Sequence, residues 1–347
     1  MKAAIYHGEQ KIGIEDVDIP EPEPGYVLLQ MKNCGICGSD LHSYFGQWGQ
    51  SNKASGHEIS GVVVKCGEGV TGFDEGDKVC AECFSHCGKC RFCETGHYNL
   101  CDNLKGASGG NHSGFAEYVI AHSSSLFHFP DSMSFEDGMM IEPLAVSYRA
   151  FKRTGADCQD NVLVIGSGTI GLLAVASAKA CGVRSVTATY KYNHQAKMAQ
   201  ELGADNVIQS SREGIRDEIM KLTDGFGADA IVETTASADG FNQAMSLIRK
   251  GGSLVLVGGY HKALEVNISR IVGSEIQVTG SSCYGYSGMR KDFEWSKELI
   301  LSGKVPASKI ITHRFPLSDV TEAFKVSADK NSGSIKVQVH NDLCQTL

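Results

Sequence analysis

Four cysteines, Cys87, Cys90, Cys93 and Cys101, follow one another at the spacing C-x2-C-x2-C-x7-C. Thiols this close cannot all pair as unstrained disulfides, whereas four thiolates can close a tetrahedral zinc site. Such a site is coordinatively full: it ties together its own loop, about residues 83–105, and leaves no position for a substrate. An iron–sulfur cluster is the rival reading of the same spacing, and its colour would reveal it. Open-site chemistry then belongs elsewhere, where donors are sparser. Cys34-Gly-Ile-Cys37-Gly-Ser39-Asp40-Leu-His42 and Gly56-His57-Glu58 offer thiolate, imidazole and carboxylate from separated segments. That is what a catalytic zinc needs, because three protein ligands leave a fourth position for a substrate oxygen. Taken singly, each of these short motifs reads equally well as a turn or a surface histidine.

A second motif concerns phosphate. Gly166-Ser-Gly168-Thr169-Ile170-Gly171 follows the apolar run Asn161–Ile165 and opens a helix-like segment. In that context the first glycine permits a tight turn, the second lets backbone approach a pyrophosphate, and the third lets helix pack on strand. The N–H groups of the helix start face the anion. The NAD form of this pattern wants a carboxylate about twenty residues on, to hold the ribose 2′-hydroxyl. Here that position is Tyr190, with Lys191 beside it. A missing carboxylate removes repulsion toward a 2′-phosphate and a cation can attract one, so NADP is expected over NAD. A solvated loop lysine is the plainer reading of Lys191. Val257 and Gly258, where the later strand Ser253–Val257 ends, are further candidate cofactor contacts.

The elements that carry these motifs fall into two kinds. The first part of the chain reads as short strands and turns. From about residue 150 strands alternate with helices, five strands in all with Ser253–Val257 as the last, which predicts a doubly wound parallel sheet. The segment Ser334–Val339 reads as a strand returning to the first domain. The expected fold is therefore α/β: a β-rich domain over 1–147 and 284–347, with a dinucleotide-type domain over 148–283 inserted in it. A length of 347 residues suits two such cores. The net charge of −8 gives no basic footprint for nucleic acid, and no apolar stretch reads as a membrane span. Thirteen cysteines, an odd number, fit thiols and metal ligands in a reducing cytoplasm better than a disulfide framework.

In combination, Gly35-Ile-Cys-Gly-Ser-Asp40, Gly56-His-Glu58, the four-cysteine lobe, Ile141-Glu142-Pro-Leu-Ala145 and the glycine motif resemble the zinc-containing medium-chain alcohol dehydrogenase superfamily, over essentially the whole chain. Within it the likeness is to the polyol branch: sorbitol, galactitol-phosphate and threonine dehydrogenases. The resemblance implies a GroES-like β-rich catalytic domain and a Rossmann cofactor domain, one catalytic and one structural zinc, and a homodimer or homotetramer. Cys37 and His57 would be ligands of the catalytic zinc, together with Glu142 or Glu58. The implied reaction is hydride transfer between a secondary alcohol, such as a polyol, sugar alcohol or its phosphate, or aminocyclitol, and a nicotinamide. Ser39 would accept the hydroxyl proton, and His42 would stand at the outer end of the relay. Tyr148 and the segment 52–55 depart from the common pattern of relatives, so no single relative's substrate carries over. A threonine-type amino-alcohol dehydrogenase is the alternative of the same class, and a non-enzymatic NADPH-binding protein the alternative of another.

Overall fold

The computed structural model describes residues 1–47, 56–106, 114–260 and 263–341; the departure at 52–55 lies outside them. Contacts divide the chain into two compact units, Met1–Glu142 with Ala307–Leu347, and Pro143–Pro306. Residues 284–306, which the sequence reading attached to the first domain, thus group with the second unit.

The first unit runs through β1 (Tyr26–Gly35), α1 (Gly38–Tyr44), β2 (Glu58–Cys66), β3 (Lys78–Ala81), β4 (Tyr118–His122) and β5 (Leu126–His128) into helix α2 (Phe135–Arg153). The second unit holds β6 (Asn161–Ile165), α3 (Thr169–Ala180), β7 (Ser185–Tyr190), α4 (Asn193–Glu201), β8 (Asn206–Gln209) and α5 (Ile215–Leu222). It continues with β9 (Ala228–Glu233), α6 (Ala238–Leu247), β10 (Ile248–Leu256), α7 (Ile268–Gly273), β11 (Gln277–Gly280) and α8 (Asp292–Leu301). The chain then returns to the first unit with β12 (Ile311–Pro316), α9 (Val320–Ala328) and β13 (Lys336–His340).

The sheet of the first unit has the order β12-β13-β1-β2-β3-β5, with β4 also paired to β1. In its register Gly35 lies opposite Glu58 on β2 and opposite Gln338 on β13, so the end of β1 and the starts of β2 and β13 meet at one end of the sheet. Alternate residues of β1, Val27, Leu29 and Met31, are fully buried and pack with Val63, Val79, Val119 and Phe324. That core fixes the register, because a slip of one residue would turn the whole buried set outward.

The second unit is a parallel sheet of order β8-β7-β6-β9-β10-β11. Val162 to Ile165 are buried without alternation, as expected of a strand covered on both faces. Strand order reverses between β6 and β9, and in sheets of this kind ligands bind at the carboxyl ends of the strands at that point. The strand series expected from the sequence ends at Val257, and the structure adds β11 at the edge. Its residues Gln277, Val278 and Gly280 are exposed, so the strand lacks the apolar run that betrays a covered one.

Candidate metal and cofactor sites

The four lobe cysteines converge. Their sulfurs lie within 4.8 Å of one another, with Cys90–Cys93 and Cys87–Cys101 at 3.5 Å and Cys90–Cys101 at 3.8 Å. Four sulfurs about 2.3 Å from a tetrahedral zinc stand roughly 3.8 Å apart, so the donor set fits that ion. All four are free thiols, two of them drawn toward ionisation. Cys87 is lowered to about 6, first by the backbone N–H of Lys89, and Cys90 is lowered first by that of Cys93. Cys93 is pushed up to about 12, chiefly by burial.

The second cluster is built where β1 ends and β2 and β13 begin. Cys37 caps the N-terminus of α1, and its backbone N–H donates to Asp40 Oδ2 at 2.8 Å. The buried Asp40 carboxylate also faces His57 Nδ1, 3.8 Å from Oδ1, so one acid holds both the cysteine backbone and the imidazole. The donor atoms of Cys37, His57 and Glu58 lie within 4.8 Å of one another. Gly35 is required there: a Cβ on it would stand 1.9 Å from Glu58 Oε2. Glu142 on α2 is buried but does not join the three donors at that spacing, although its charge reaches His57. Burial by itself would lower the pKa of His57. Asp40, Cys37 and Glu142 outweigh it and hold the imidazole well above its ordinary value. So much negative charge around the imidazole suits a cation at the centre of the group, and thiolate, imidazole and carboxylate are the donors zinc takes. Ser39 and His42 stand one turn apart on α1, and His42 Nδ1 lies 2.5 Å from Gln47 Oε1.

In the second unit the glycine motif forms the turn from β6 into α3. Gly166 has φ +92°, and a Cβ on Gly171 would stand 1.8 Å from the Gly166 carbonyl oxygen, so neither position accepts a side chain. Gly168 caps α3 with no side-chain hydrogen bond, and a Cβ there would meet nothing within 4 Å. The helix start, with Thr169 and Ile170 next in line, is thus open to an anion, and the cradle fits a pyrophosphate. Gly166 N–H donates to Thr189 Oγ1 at 3.0 Å and Ser167 Oγ to the Thr189 carbonyl at 2.7 Å, which fixes the turn beside the end of β7. Tyr190 closes that strand. Lys191 follows, exposed, with Nζ 5.6 Å from the centre of the Tyr192 ring.

Comparison with known proteins bears on both units. Residues 23–131 match the alcohol dehydrogenase GroES-like domain, and residues 169–301 match the zinc-binding dehydrogenase domain. A sorbitol dehydrogenase of Halalkalibacterium halodurans is 37% identical, over 97% of this chain and 98% of that protein. The chain belongs to the zinc-binding alcohol dehydrogenase family. Solved structures agree. Galactitol-1-phosphate dehydrogenase from Escherichia coli superposes with a TM-score of 0.90 at 28% identity, covering 98% of this chain and 100% of that one. A dehydrogenase of Sinorhizobium meliloti 1021 bound to NADP gives 0.88 at 27%, covering 98% of each chain. One from Escherichia coli CFT073 complexed with NADH gives 0.89 at 27%, covering 98% and 99%. The protein is an alcohol oxidoreductase of this family, with a GroES-like unit, a Rossmann-like unit and a nicotinamide cofactor.

One partner of the second cluster is not among the candidates that the sequence of this zinc-binding dehydrogenase offers. Lys336, at the start of β13, is 1% exposed, and its ammonium reaches both oxygens of Glu58 at 2.7 and 2.6 Å and the Ile36 carbonyl at 3.0 Å. Burial lowers the pKa of this lysine, and Glu58 more than restores it. Two ions taken out of water are tolerable only with such geometry, since desolvation otherwise exceeds their attraction. The signal was hidden, because Lys336 and Gln338 alternate with Val337 and Val339 and so read as a solvent-facing set. Asp40 lies inside the Cys34–His42 motif, but nothing in the sequence shows that it faces His57.

Proposed function

We propose that this dehydrogenase oxidises a secondary alcohol of a polyol or sugar alcohol, with NADP preferred over NAD and two zinc ions per chain. The meeting of Cys37, His57 and Glu58 carries the reading. Zinc at that group supplies Lewis acidity toward an alcohol oxygen, and the nicotinamide supplies the hydride acceptor. Cys37 and His57 hold the ion, with the carboxylate from Glu58 or from Glu142. Asp40 keeps the imidazole oriented. Ser39 takes the hydroxyl proton, and His42, one turn further along α1, passes it toward water. Cys87, Cys90, Cys93 and Cys101 hold the second zinc, which braces the lobe. Tyr190 in the place of a carboxylate, with the exposed Lys191 beside it, supports the 2′-phosphate preference. Gly166, Gly168, Thr169, Ile170, Gly171, Val257 and Gly258 contribute the remaining cofactor contacts.

The polyol class rests on the 37% identity to a sorbitol dehydrogenase. A homo-oligomer is supported by the exposed apolar side chains Ile268, Val272 and Val278, on α7 and on the edge strand β11. Among the described residues no helix is long and apolar enough to cross a membrane, and the described cysteines are all free thiols, as suits the cytoplasm.

One set of assays tests the reading. Polyols, polyol phosphates and threonine are offered with NADP and with NAD, and bound zinc is measured by atomic absorption. The expected result is about two zinc ions per chain, polyol turnover and a higher kcat/KM with NADP. Cys37→Ser should lose one zinc and more than the 10–100-fold of activity that removing an outer partner of a metal ligand costs, while keeping the fold. A clear NAD preference overturns the cofactor part, and full activity in Cys37→Ser overturns the site.

A further inference from the structure

The second unit contains a buried carboxylate that the proposed chemistry does not use. Glu233 ends β9 at the point where strand order reverses, and it is 0% exposed. Oε1 accepts from the backbone N–H of Thr235 at 2.7 Å and from its hydroxyl at 2.5 Å. Oε2 accepts from the N–H of Ala236 at 3.2 Å and from the phenol of Tyr260. The loop so fastened is a constrained one, with Ala236 at φ +51°. It also touches both neighbouring turns. Thr234 Oγ1 donates to the carbonyls of Ile165 and Gly166, at 2.9 and 3.2 Å, and a Cβ on Gly166 would stand 2.7 Å from Thr235 Cγ2. On the other side, a Cβ on Gly258 would stand 2.4 Å from Ala236 Cβ. Tyr260 comes from the segment after β10, so a single carboxylate ties together the loops that succeed β9 and β10.

Holding a carboxylate out of water is expensive unless its hydrogen bonds are complete, and a purely structural loop could be filled by apolar side chains at less cost. In a doubly wound sheet each half receives one mononucleotide. The glycine turn and the end of β7 belong to the half that takes the adenosine part. The ends of β9 and β10 belong to the other. We infer that Glu233 and Tyr260 are positioning residues for the nicotinamide-nucleotide half of the cofactor: they fix the backbone of 234–236 and 257–260 against which that half lies. The inference rests on the glycine turn being a dinucleotide site.

Binding measurements on the holoenzyme test it without turnover. Wild type, Tyr260→Phe and Glu233→Gln are titrated with NADPH and NADH by fluorescence, and with adenosine 2′,5′-bisphosphate and ADP by calorimetry. Tyr260→Phe removes one hydrogen bond to a charged acceptor and should weaken the dinucleotides about tenfold, with both adenosine fragments unchanged. Glu233→Gln, which keeps the shape but turns an acceptor into a donor, should weaken them at least as much. Dinucleotide binding within twofold of wild type in both variants overturns the inference. So does parallel loss of the fragments, which would mark a general loosening of the unit. A wild type that binds neither dinucleotide overturns the cofactor reading itself and takes the inference with it.

Discussion

Glu58 shows how one side chain can be both structural and chemical. Its carboxylate lies among the candidate metal donors and is held at both oxygens by Lys336, whose own third contact is the Ile36 carbonyl. Removing the lysine leaves a buried charge without its partner. Lys336→Met should therefore destabilise the protein by about 3–5 kcal/mol in denaturant titration, and Lys336→Arg should recover much of that. A Lys336→Met variant as stable as wild type would show that the pair contributes little. Cys37, His57 and the lobe cysteines stand out in the sequence as candidate donors by type and spacing taken together, whereas a single cysteine or histidine reads equally well as a turn or surface residue. Lys336 does not stand out, since a lysine in an alternating strand is ordinarily solvated. Its burial and its contacts with Glu58 and the Ile36 carbonyl show that it points inward.

Among the elements, α2 has the clearest tether. Arg314 on β12 grips Glu136 in its first turn through two hydrogen bonds of 2.6 and 2.8 Å, and Gln338 on β13 adds a third at 2.8 Å. Further along the same helix stands Glu142. The Arg314 guanidinium holds the Glu136 carboxyl below its ordinary value, and a group lowered on folding adds stability above its unfolded pKa and loses it as pH falls through the folded one. Glu136→Gln should accordingly be less stable than wild type near neutrality and approach it in acid, below the ordinary carboxylate range. Parallel stability curves across pH would remove this account. Elements also mark how far the sequence could be read. β6 and β9, whose buried residues run together, were found from their apolar runs. β11 was not, because an exposed four-residue edge strand carries no such run. The glycine turn is legible in the sequence as a turn between strand and helix, but the pairing of Glu233 with Tyr260 is not. Their meeting depends on two loops far apart in the chain.

Across the whole molecule, the edge of the second sheet is the place to look for assembly. Val278 on β11 and Ile268 and Val272 on α7 are 36%, 60% and 71% exposed, and an edge strand leaves backbone groups that another copy can pair. The double variant Ile268→Lys, Val272→Lys should lower the sedimentation coefficient toward that of a monomer while leaving the far-ultraviolet circular dichroism unchanged. An unaltered coefficient would remove this proposal of assembly through the sheet edge. The ammonium of Lys336 has a last consequence, for the order in which the enzyme is assembled. A lysine ammonium already pairs with the buried Glu58 carboxylate, which favours closure of the first unit before any ion arrives. An ion at the proposed Cys37–His57 site would then enter a finished protein, and could be stripped from it by a chelator and returned, without the chain having to refold.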